Sequence, residues 1–369
     1  MKMIKVVFVV RTLNGGGAEK VVINLSKLLK DNKEVDTHIV TLSNESQHII
    51  DKNTNIHFIA LPKKTFVNFF YYNQKCAKII DKYIEKNIGQ VKGVFSNLSF
   101  CDKIMKYSKL PVWHIIHSTT SIAEWGSKTG ISRLLAKNKT KNYYTKHPSI
   151  CVSQGVLEDF KKHINKNAVC IYNPINSKVI KELSEEKISK QEQILLQADY
   201  IIAVGNIKKA KNYPMLIKAY ARSKIKEKLL VVGNFADSYK QCVSLVKDLK
   251  LENKVIFLGF RVNPYPYIKK AKLFVLSSSY EGLAIVLLES IYLGVPVIST
   301  DCKSGPGEIL KNYPQCLTKV NDIDALANKI KDAVNHPTRY IAQIPEEMSD
   351  KNICKQYRNI ILQNSLKKL

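Results

Sequence analysis

Residues 4–30, IKVVFVVRTLNGGGAEKVVINLSKLLK, join a short apolar run to a helical pattern through three consecutive glycines. The apolar run predicts a buried β-strand, and apolar residues recur every three or four positions across 18–30. Gly15, Gly16 and Gly17 let the backbone approach a phosphate closely, at a helix N-terminus that presents N–H groups and a positive dipole end. The stretch therefore predicts a strand, turn and helix able to bind an anion, although a tight connection accounts for the glycines equally well.

The same order of features returns at residues 200–220, YIIAVGNIKKAKNYPMLIKAY. A strand ends at Gly205, a lysine-rich turn follows, and a helix begins near a proline, which is favoured in the first helical turn. Lys211 is placed to neutralise an anion at this turn, whereas Lys208 and Lys209 are expected to be solvated.

Short runs rich in Val and Ile alternate with helical patterns along the whole chain. The first series of predicted strands lies at 4–10, 38–42, 57–61, 93–96, 112–117 and 149–152. A second series lies at 200–204, 228–232, 254–258, 273–276 and 295–299. Two such blocks predict an α/β protein of two doubly wound, Rossmann-like parallel-sheet domains, which bind ligands at the carboxyl ends of the strands.

The composition narrows the class of protein. The chain of 369 residues is 45% hydrophobic, and no stretch reaches about 18 uncharged apolar residues, so no transmembrane helix is predicted. The eight cysteines are scattered without a C-x-x-C pair or a metal-ligand pattern, which favours a reducing compartment. The N-terminal residues are interpreted as a strand rather than a signal peptide.

The net charge of +27 is concentrated in residues 61–150, which contain sixteen basic and four acidic residues. Phe and Tyr are interleaved with lysines at 63–75 and 133–147. This mixture suits an anionic membrane surface or a nucleic-acid backbone. A lysine-rich, solvated surface explains the bulk charge equally well.

The segment YEGLAIVLLES, residues 280–290, contains two carboxylates in an apolar setting, Glu281 and Glu289. A helix through it surrounds Glu289 with apolar neighbours, and burying even a neutral polar group without hydrogen bonds costs roughly 2 to 7 kcal/mol. Because ionised carboxylates only accept hydrogen bonds, the pair is suited to the hydroxyl groups of one extended ligand.

These segments together resemble the family-four retaining glycosyltransferases. The resemblance rests on Glu281 and Glu289, on the glycine turn at 15–19 and on the segments at 115–118, 152–153, 172–174, 204–212, 258–264 and 294–306. It spans nearly the whole chain in order. It implies the GT-B fold, with an N-terminal domain at 1–180 joined by a final helix at 352–369, and a C-terminal nucleotide-sugar domain at 181–351.

The resemblance also implies roles for individual residues. Glu281 would contact the transferred sugar, Lys211 would neutralise the leaving diphosphate, and His117 would approach the sugar from the N-terminal domain. Glu289 would bind the ribose hydroxyls. The remaining donor-binding positions would be Gly15, Gly16, Gly17, Gly205, Asn206, Phe260, Arg261, Gly282, Leu283, Ala284 and Ile285.

The implied reaction is retaining transfer of a hexose or N-acetylhexosamine from a nucleoside diphosphate sugar, with UDP as the expected nucleotide. The acceptor would be a lipopolysaccharide, O-antigen, capsule or lipid-linked oligosaccharide. No metal or cofactor is expected, because helix dipoles and a lysine can stabilise the diphosphate. The enzyme would be cytoplasmic and peripherally bound to the inner face of the bacterial cytoplasmic membrane, and its oligomeric state is not indicated.

Two positions depart from the family pattern. Asn206 stands where an arginine usually helps to bind the diphosphate, and Gly307 stands where related enzymes have another arginine. Without this bidentate hydrogen-bond donor, the diphosphate is bound less strongly, unless Lys208 or Lys209 compensates. A basic nucleic-acid-binding protein, a GT-B enzyme that hydrolyses or phosphorolyses its sugar nucleotide, and an inactive sugar-nucleotide sensor therefore stay open as alternatives.

Two further patterns have structural interpretations. Asp322 and Asp324 mimic a D-x-D metal motif, but they open a helical pattern and are better explained as a helix cap. His114 lies on the opposite face of its strand from His117 and is expected to be structural.

Overall fold

A computed structural model describes residues 3–14, 16–31, 34–48, 52–65, 71–195 and 197–366. The chain forms two compact units, an N-terminal unit of residues 1–176 with 346–369 and a C-terminal unit of residues 177–345. The sequence places these boundaries at 180/181 and 351/352, a few residues later in each case.

The N-terminal unit is built around one parallel sheet. Its described strands are β1 (Ile4–Val10), β2 (Val35–Thr41), β3 (Asn55–Phe58), β4 (Gly93–Asn97), β5 (Val112–Ile116), β6 (Ser149–Cys151) and β7 (Ala168–Cys170). Its helices are α1 (Gly17–Asp31), α2 (Tyr72–Asn87), α3 (Leu98–Met105), α4 (Thr120–Trp125), α5 (Gly130–Tyr143) and α6 (Gln154–His163). The strand order is β3-β2-β1-β4-β5-β6-β7.

The C-terminal unit repeats this architecture. Its helices are α7 (Ser177–Ser184), α8 (Lys190–Leu195), α9 (Tyr213–Ser223), α10 (Tyr239–Asp248), α11 (Tyr265–Lys269), α12 (Ile285–Tyr292), α13 (Pro306–Ile309) and α14 (Ile323–Asn335). Its described strands are β8 (Tyr200–Val204), β9 (Lys228–Val232), β10 (Val255–Gly259), β11 (Leu273–Leu276), β12 (Val297–Thr300) and β13 (Leu317–Thr318). These strands are parallel in the order β10-β9-β8-β11-β12-β13.

The last helix, α15 (Asp350–Leu366), belongs to the N-terminal unit. Its Tyr357 is fully buried, with the ring centroid 5.5 Å from that of Phe95 on β4 in an edge-to-face arrangement. The carboxylate of Asp350 accepts hydrogen bonds from the amides of Ile175 and Asn176 at 3.0 and 3.1 Å. These bonds tie the end of the first chain segment to the start of α15.

Each sheet contains a topological switch point, where chain connections leave in opposite directions from two adjacent strands. In the N-terminal sheet these strands are β1 and β4, and in the C-terminal sheet they are β8 and β11. Open parallel sheets bind ligands at this point, beyond the carboxyl ends of the strands. The two glycine turns of the sequence follow β1 and β8, so the fold places both at switch points.

The α/β class of the sequence prediction is confirmed, whereas some elements differ. The strand expected at 57–61 lies at 55–58, and β7 and β13 were not predicted. Of the helices within the described ranges, none combines the length and the apolar composition needed to traverse a bilayer.

Candidate functional site

The loops that follow β8 and β11 bring Lys211 and Glu281 together. The Nζ atom of Lys211 lies 2.7 Å from Oε1 of Glu281, and the hydroxyl of Ser278 donates to the same oxygen at 2.6 Å. Only 15% of the Lys211 side chain and 13% of the Glu281 side chain are exposed. The two residues that the sequence assigned to one site therefore form a sheltered ion pair.

The backbone around Gly205 creates the space for Lys211. Gly205 has a φ of +148°, and a Cβ atom added there would lie 3.0 Å from Cε of Lys211. The lysine belongs to a short 3₁₀ turn at Lys209–Lys211, and its carbonyl accepts a hydrogen bond from Ser277 at 2.8 Å. A glycine at 205 thus lets the lysine side chain run along the end of β8 toward Glu281.

Glu289 is buried in α12, as the sequence predicted, with 2% of its surface exposed. The hydroxyl of Tyr265, at the start of α11, donates to its Oε1 at 3.2 Å. The sequence showed that the carboxylate needed a hydrogen-bond partner but did not identify Tyr265, which lies 24 residues away. A carboxylate held among apolar neighbours by a hydroxyl is a pre-positioned acceptor for further hydroxyl groups.

The backbone from Gly282 to Ala284 precedes α12 and packs closely against Gly305. A Cβ atom at Gly305 would lie 3.1 Å from Cα of Leu283, and Gly305 has a φ of +94°. The amide of Ile285 already donates to the carbonyl of Leu283 at 2.8 Å. Gly305 thus supports this backbone segment, a role that the sequence did not predict. A ligand that binds the Ile285 amide would have to compete with the carbonyl of Leu283.

Asn206, which replaces the expected arginine, has a structural contact. Its Oδ1 accepts hydrogen bonds from the backbone and side-chain amides of Asn234, both at 3.3 Å. A Cβ atom on the neighbouring Gly233 would lie 2.1 Å from the carbonyl oxygen of Gly205. The loops after β8 and β9 are therefore held against each other, while the side chains of Lys208 and Lys209 are exposed as expected.

Arg261 forms contacts that the sequence did not predict. Its Nε lies 2.7 Å from Oε1 of Glu192 on α8, and its Nη1 donates to the carbonyl of Phe260 at 2.9 Å. Burial raises the pKa of Glu192. Hydrogen bonds from Tyr267 and Arg261 outweigh this effect and hold the pKa below its usual range. Arg261 is thus already paired with a carboxylate.

Phe235, in the loop after β9, lies beside the segment expected to hold the base. Its side chain is 52% exposed, and its ring stacks on Tyr239 with the centroids 4.0 Å apart. A Cβ atom on Gly259 would lie 3.6 Å from Cζ of Phe235. The ring is a stacking surface at the carboxyl end of the sheet that sequence reasoning missed.

His117 lies just beyond β5 in the N-terminal unit. Its Nε2 lies 2.9 Å from Oδ1 of Asn97, whose amide group donates to the carbonyl of Phe95 at 2.9 Å. Since Oδ1 can only accept, Nε2 carries the hydrogen. Burial lowers the pKa of His117 to about 4, so the ring is neutral at pH 7 and Nδ1 is its acceptor nitrogen.

The glycine turn after β1 leads directly into α1. Gly15 lies outside the described residues, Gly16 precedes the helix and Gly17 is its first residue. A Cβ atom on Gly16 would lie 2.0 Å from Oε2 of Glu19, so the carboxylate folds back over the turn. Any phosphate bound there would have to displace this carboxylate from the positive end of α1.

A cavity of about 370 Å³ opens beside this turn. Its walls come from the ends of β1 and β2, the segment after β3, and the starts of α2 and α3; the lining residues are Arg11, Thr12, Leu42, Ser43, Glu45, Leu61, Tyr72 and Phe100. The guanidinium of Arg11 lies 4.7 Å from the ring centroid of Phe100, and Glu45 accepts a hydrogen bond from Asn14 at 2.6 Å. Aromatic walls with hydroxyl, carboxylate and guanidinium groups suit a sugar ring.

The two structural interpretations are confirmed. Asp322 caps α14 by accepting a hydrogen bond from the amide of Ala325 at 2.9 Å. His114 is fully buried, with Nδ1 2.9 Å from Oδ1 of Asp102. Within the described ranges, no group of three or more His, Cys, Asp and Glu side chains is arranged to hold a metal ion.

Comparison with known proteins identifies the class. Residues 184–352 match the family described as glycosyl transferases group 1, a match that covers nearly all of the C-terminal unit. This match agrees with the glycosyltransferase resemblance of the sequence motifs. With a parallel sheet in each unit, the chain has the GT-B fold, and residues 184–352 are similar to the group 1 glycosyltransferases.

Two similar enzymes come from Campylobacter jejuni. The N-acetylgalactosamine-N,N'-diacetylbacillosaminyl-diphospho-undecaprenol 4-alpha-N-acetylgalactosaminyltransferase is 29% identical over 310 residues, which is 81% of each chain. The GalNAc-alpha-(1->4)-GalNAc-alpha-(1->3)-diNAcBac-PP-undecaprenol alpha-1,4-N-acetyl-D-galactosaminyltransferase is 26% identical over 358 residues, 90% of this chain and 89% of the relative.

A solved structure supports the fold. Anabaena HepE, crystallised in complex with UDP and glucose, superposes with a TM-score of 0.71 over 99% of this chain and 100% of its own, at 16% identity. At this identity the likeness establishes the shared GT-B fold alone.

Proposed function

We propose that the protein transfers an N-acetylhexosamine or a hexose, with retention of anomeric configuration, from a UDP-linked sugar to a lipid-linked glycan. The observation that carries the proposal is the sheltered Lys211–Glu281 ion pair at the switch point of the C-terminal sheet. A cation beyond the end of β8 suits a leaving diphosphate, and an adjacent carboxylate suits a sugar hydroxyl.

In this proposal the donor is held at three points. Glu289 accepts from the ribose hydroxyls, Glu281 accepts from a hydroxyl of the transferred sugar, and Lys211 neutralises the diphosphate as charge develops on it. The exposed ring of Phe235 offers a stacking surface for the base. No metal is required, because the lysine and backbone N–H groups stabilise the leaving group electrostatically.

The proposed reaction takes place on one face of the sugar. The bond between the anomeric carbon and the diphosphate oxygen breaks, the acceptor hydroxyl attacks from the same side, and its proton passes to the departing diphosphate. His117 acts as a neutral hydrogen-bonding group in this scheme, because burial lowers its pKa to about 4. Its acceptor atom Nδ1 would orient a sugar hydroxyl.

The acceptor is proposed to occupy the cavity lined by Arg11, Tyr72 and Phe100 in the N-terminal unit. The names of the two Campylobacter enzymes specify undecaprenol-diphosphate-linked acceptors and N-acetylgalactosamine transfer. These names support a lipid-linked acceptor and favour an N-acetylhexosamine donor. Such an acceptor would place the enzyme peripherally at the cytoplasmic face of a membrane.

The test is release of UDP from a panel of UDP-N-acetylhexosamines and UDP-hexoses, with and without a diphosphate-linked glycan acceptor. Acceptor-dependent release that forms an α-linked product from an α-linked donor supports the proposal. UDP release unaffected by any glycan would instead identify a hydrolase. Thermal stabilisation by GDP or ADP sugars but not by UDP sugars would overturn the choice of nucleotide, and binding without turnover would identify a sensor.

A further inference from the structure

Helix α5 presents large aliphatic side chains to solvent. Ile131, Leu134 and Leu135 are 77%, 59% and 63% exposed. Leu134 and Leu135 follow Ile131 by three and four positions, so the three side chains lie on one side of the first two helical turns. A surface helix normally places such residues against the core, which makes this outward apolar face unusual.

The core-facing side of α5 is occupied by other residues. Ala136, Thr140 and Tyr143 are buried, and their spacing of four and three positions forms the stripe that packs onto the unit. At 100° per residue, Leu134 projects almost opposite Ala136. The aliphatic residues are therefore not needed to hold the helix on the N-terminal unit.

Basic residues surround the aliphatic face. Arg133, Lys137, Lys139 and Lys141 belong to α5, and Glu and Asp are absent from the helix. Lys106, the residue after α3, adds a further positive charge at the end of α5, where its Nζ donates to Oδ1 of Asn142 at 2.7 Å. Apolar side chains bordered by lysine and arginine are typical of helices that lie in the interface of an anionic bilayer.

We propose that Ile131, Leu134 and Leu135, bordered by Lys137, Lys139 and Lys141, dock the enzyme on an anionic lipid bilayer. The aliphatic side chains enter the boundary between headgroups and acyl chains, and the basic residues remain among anionic headgroups. The proposal rests on the proposed function, because a lipid-linked acceptor requires the enzyme to work at a membrane.

A second copy of the chain fits this surface less well. The net charge is +27, and a symmetric contact would bring the basic border of one copy against that of the other. A fluid bilayer, in contrast, accepts isolated aliphatic side chains without a matching pocket and supplies the opposite charge.

The experiment is sedimentation of the protein with vesicles of equal parts phosphatidylglycerol and phosphatidylcholine. We expect the double variant Leu134→Gln/Leu135→Gln to lower the partition coefficient by roughly tenfold or more, since two exposed aliphatic side chains no longer enter the bilayer. Ile341→Gln removes a 46% exposed aliphatic side chain from the C-terminal unit and should leave partitioning unchanged. Thermal unfolding of each variant checks that α5 still packs.

A second pair of variants tests the charge. Lys137→Gln and Lys141→Gln should each weaken binding to the anionic vesicles by about fivefold. The same substitutions should not change the weaker binding to vesicles of phosphatidylcholine alone. Equal losses on both vesicle types would contradict the role assigned to the basic border.

Catalysis with a water-soluble acceptor separates this inference from the proposed function. The Leu134→Gln/Leu135→Gln variant should keep wild-type turnover with a short glycan diphosphate that has no long lipid, and lose it only with the membrane-embedded acceptor. Absence of turnover in the wild type would refute the proposed function without affecting vesicle binding. Unchanged vesicle binding by the variant would overturn the docking site, as would a wild-type dimer that becomes monomeric in the variant.

Discussion

Nζ of Lys211 and Oε1 of Glu281 lie 2.7 Å apart in a sheltered ion pair, although the residues are 70 positions apart in the chain. At this distance each group neutralises the charge of the other. Binding a diphosphate would give the lysine a second anion and make the Glu281 carboxylate available to a sugar hydroxyl. The contact thus keeps both groups in position at the carboxyl end of the sheet.

Substituting Lys211 by Ala should therefore reduce kcat by about 10²- to 10³-fold, the usual effect of removing one group that stabilises developing charge. Lys208, an exposed lysine three residues earlier, provides the control. We expect Lys208→Ala to change kcat less than twofold in the same UDP-release assay. Equal losses in the two variants would mean that the general positive charge of the turn matters, and not the specific position of Lys211.

Glu289 should determine recognition of the ribose. Wild-type protein is expected to bind UDP about tenfold more tightly than 2'-deoxy-UDP, because a hydrogen bond to a charged group contributes about 1.5 to 3 kcal/mol. The variant Glu289→Gln should weaken UDP binding and lose most of that preference in calorimetric titrations.

Glu281→Gln is the matched control for this measurement, since it changes the other carboxylate of the same segment in the same way. It should keep the preference for UDP over 2'-deoxy-UDP. If Glu289→Gln also kept the full preference, the buried carboxylate would serve the fold through Tyr265 and not the nucleotide.

Gly233 should be intolerant of a side chain. A Cβ atom there would lie 2.1 Å from the carbonyl oxygen of Gly205, and the φ of +153° already disfavours other residues. We expect Gly233→Ala to destabilise the C-terminal unit by about 2 to 4 kcal/mol, measured by chemical denaturation. Gly17, whose added Cβ would meet nothing within 4 Å, is the control, and Gly17→Ala should be neutral or slightly stabilising. Similar destabilisation in both variants would argue against the contact.

The sequence predicts the strands best where they are long or fully buried. Strands at 4–10, 200–204, 228–232 and 273–276 have the same bounds in the structure as in the prediction. In contrast, β7 has three residues and Val169 within it is 42% exposed, while β13 has two residues. Elements this short carry too few residues for a period to be recognised.

From the residues alone, a site residue is predictable where its chemistry conflicts with its surroundings. Glu289 is such a residue, because a carboxylate in an apolar helix requires a hydrogen-bond partner. Its partner Tyr265 and the close contacts of Gly305 depend on how distant loops meet, and nothing in the local pattern specifies them. Arg261 shows the converse, since the residue was identified but its pairing with Glu192 is a tertiary contact between separate segments.

A buried histidine should make the N-terminal unit sensitive to mild acid. Burial, together with the neighbouring His114 and Lys146, lowers the pKa of His147 to about 4. The side chain is 8% exposed, and its ring centroid lies 5.9 Å from that of His114. Between pH 6.5 and 4 the unfolded chain therefore binds a proton at this position that the folded chain does not.

The free energy of unfolding should accordingly fall as the pH is lowered from 6.5 to 4, with about 1 to 3 kcal/mol of that loss due to His147. The chain has two tryptophans, Trp113 and Trp125, both in the N-terminal unit, so tryptophan fluorescence during denaturation reports on this unit alone. His147→Gln should show a smaller difference in unfolding free energy between pH 7 and pH 4.5 than the wild type. His336→Gln, which alters an exposed histidine of the C-terminal unit, should leave that difference unchanged. An identical pH dependence in His147→Gln and the wild type would show that His147 does not contribute to the acid sensitivity of the unit.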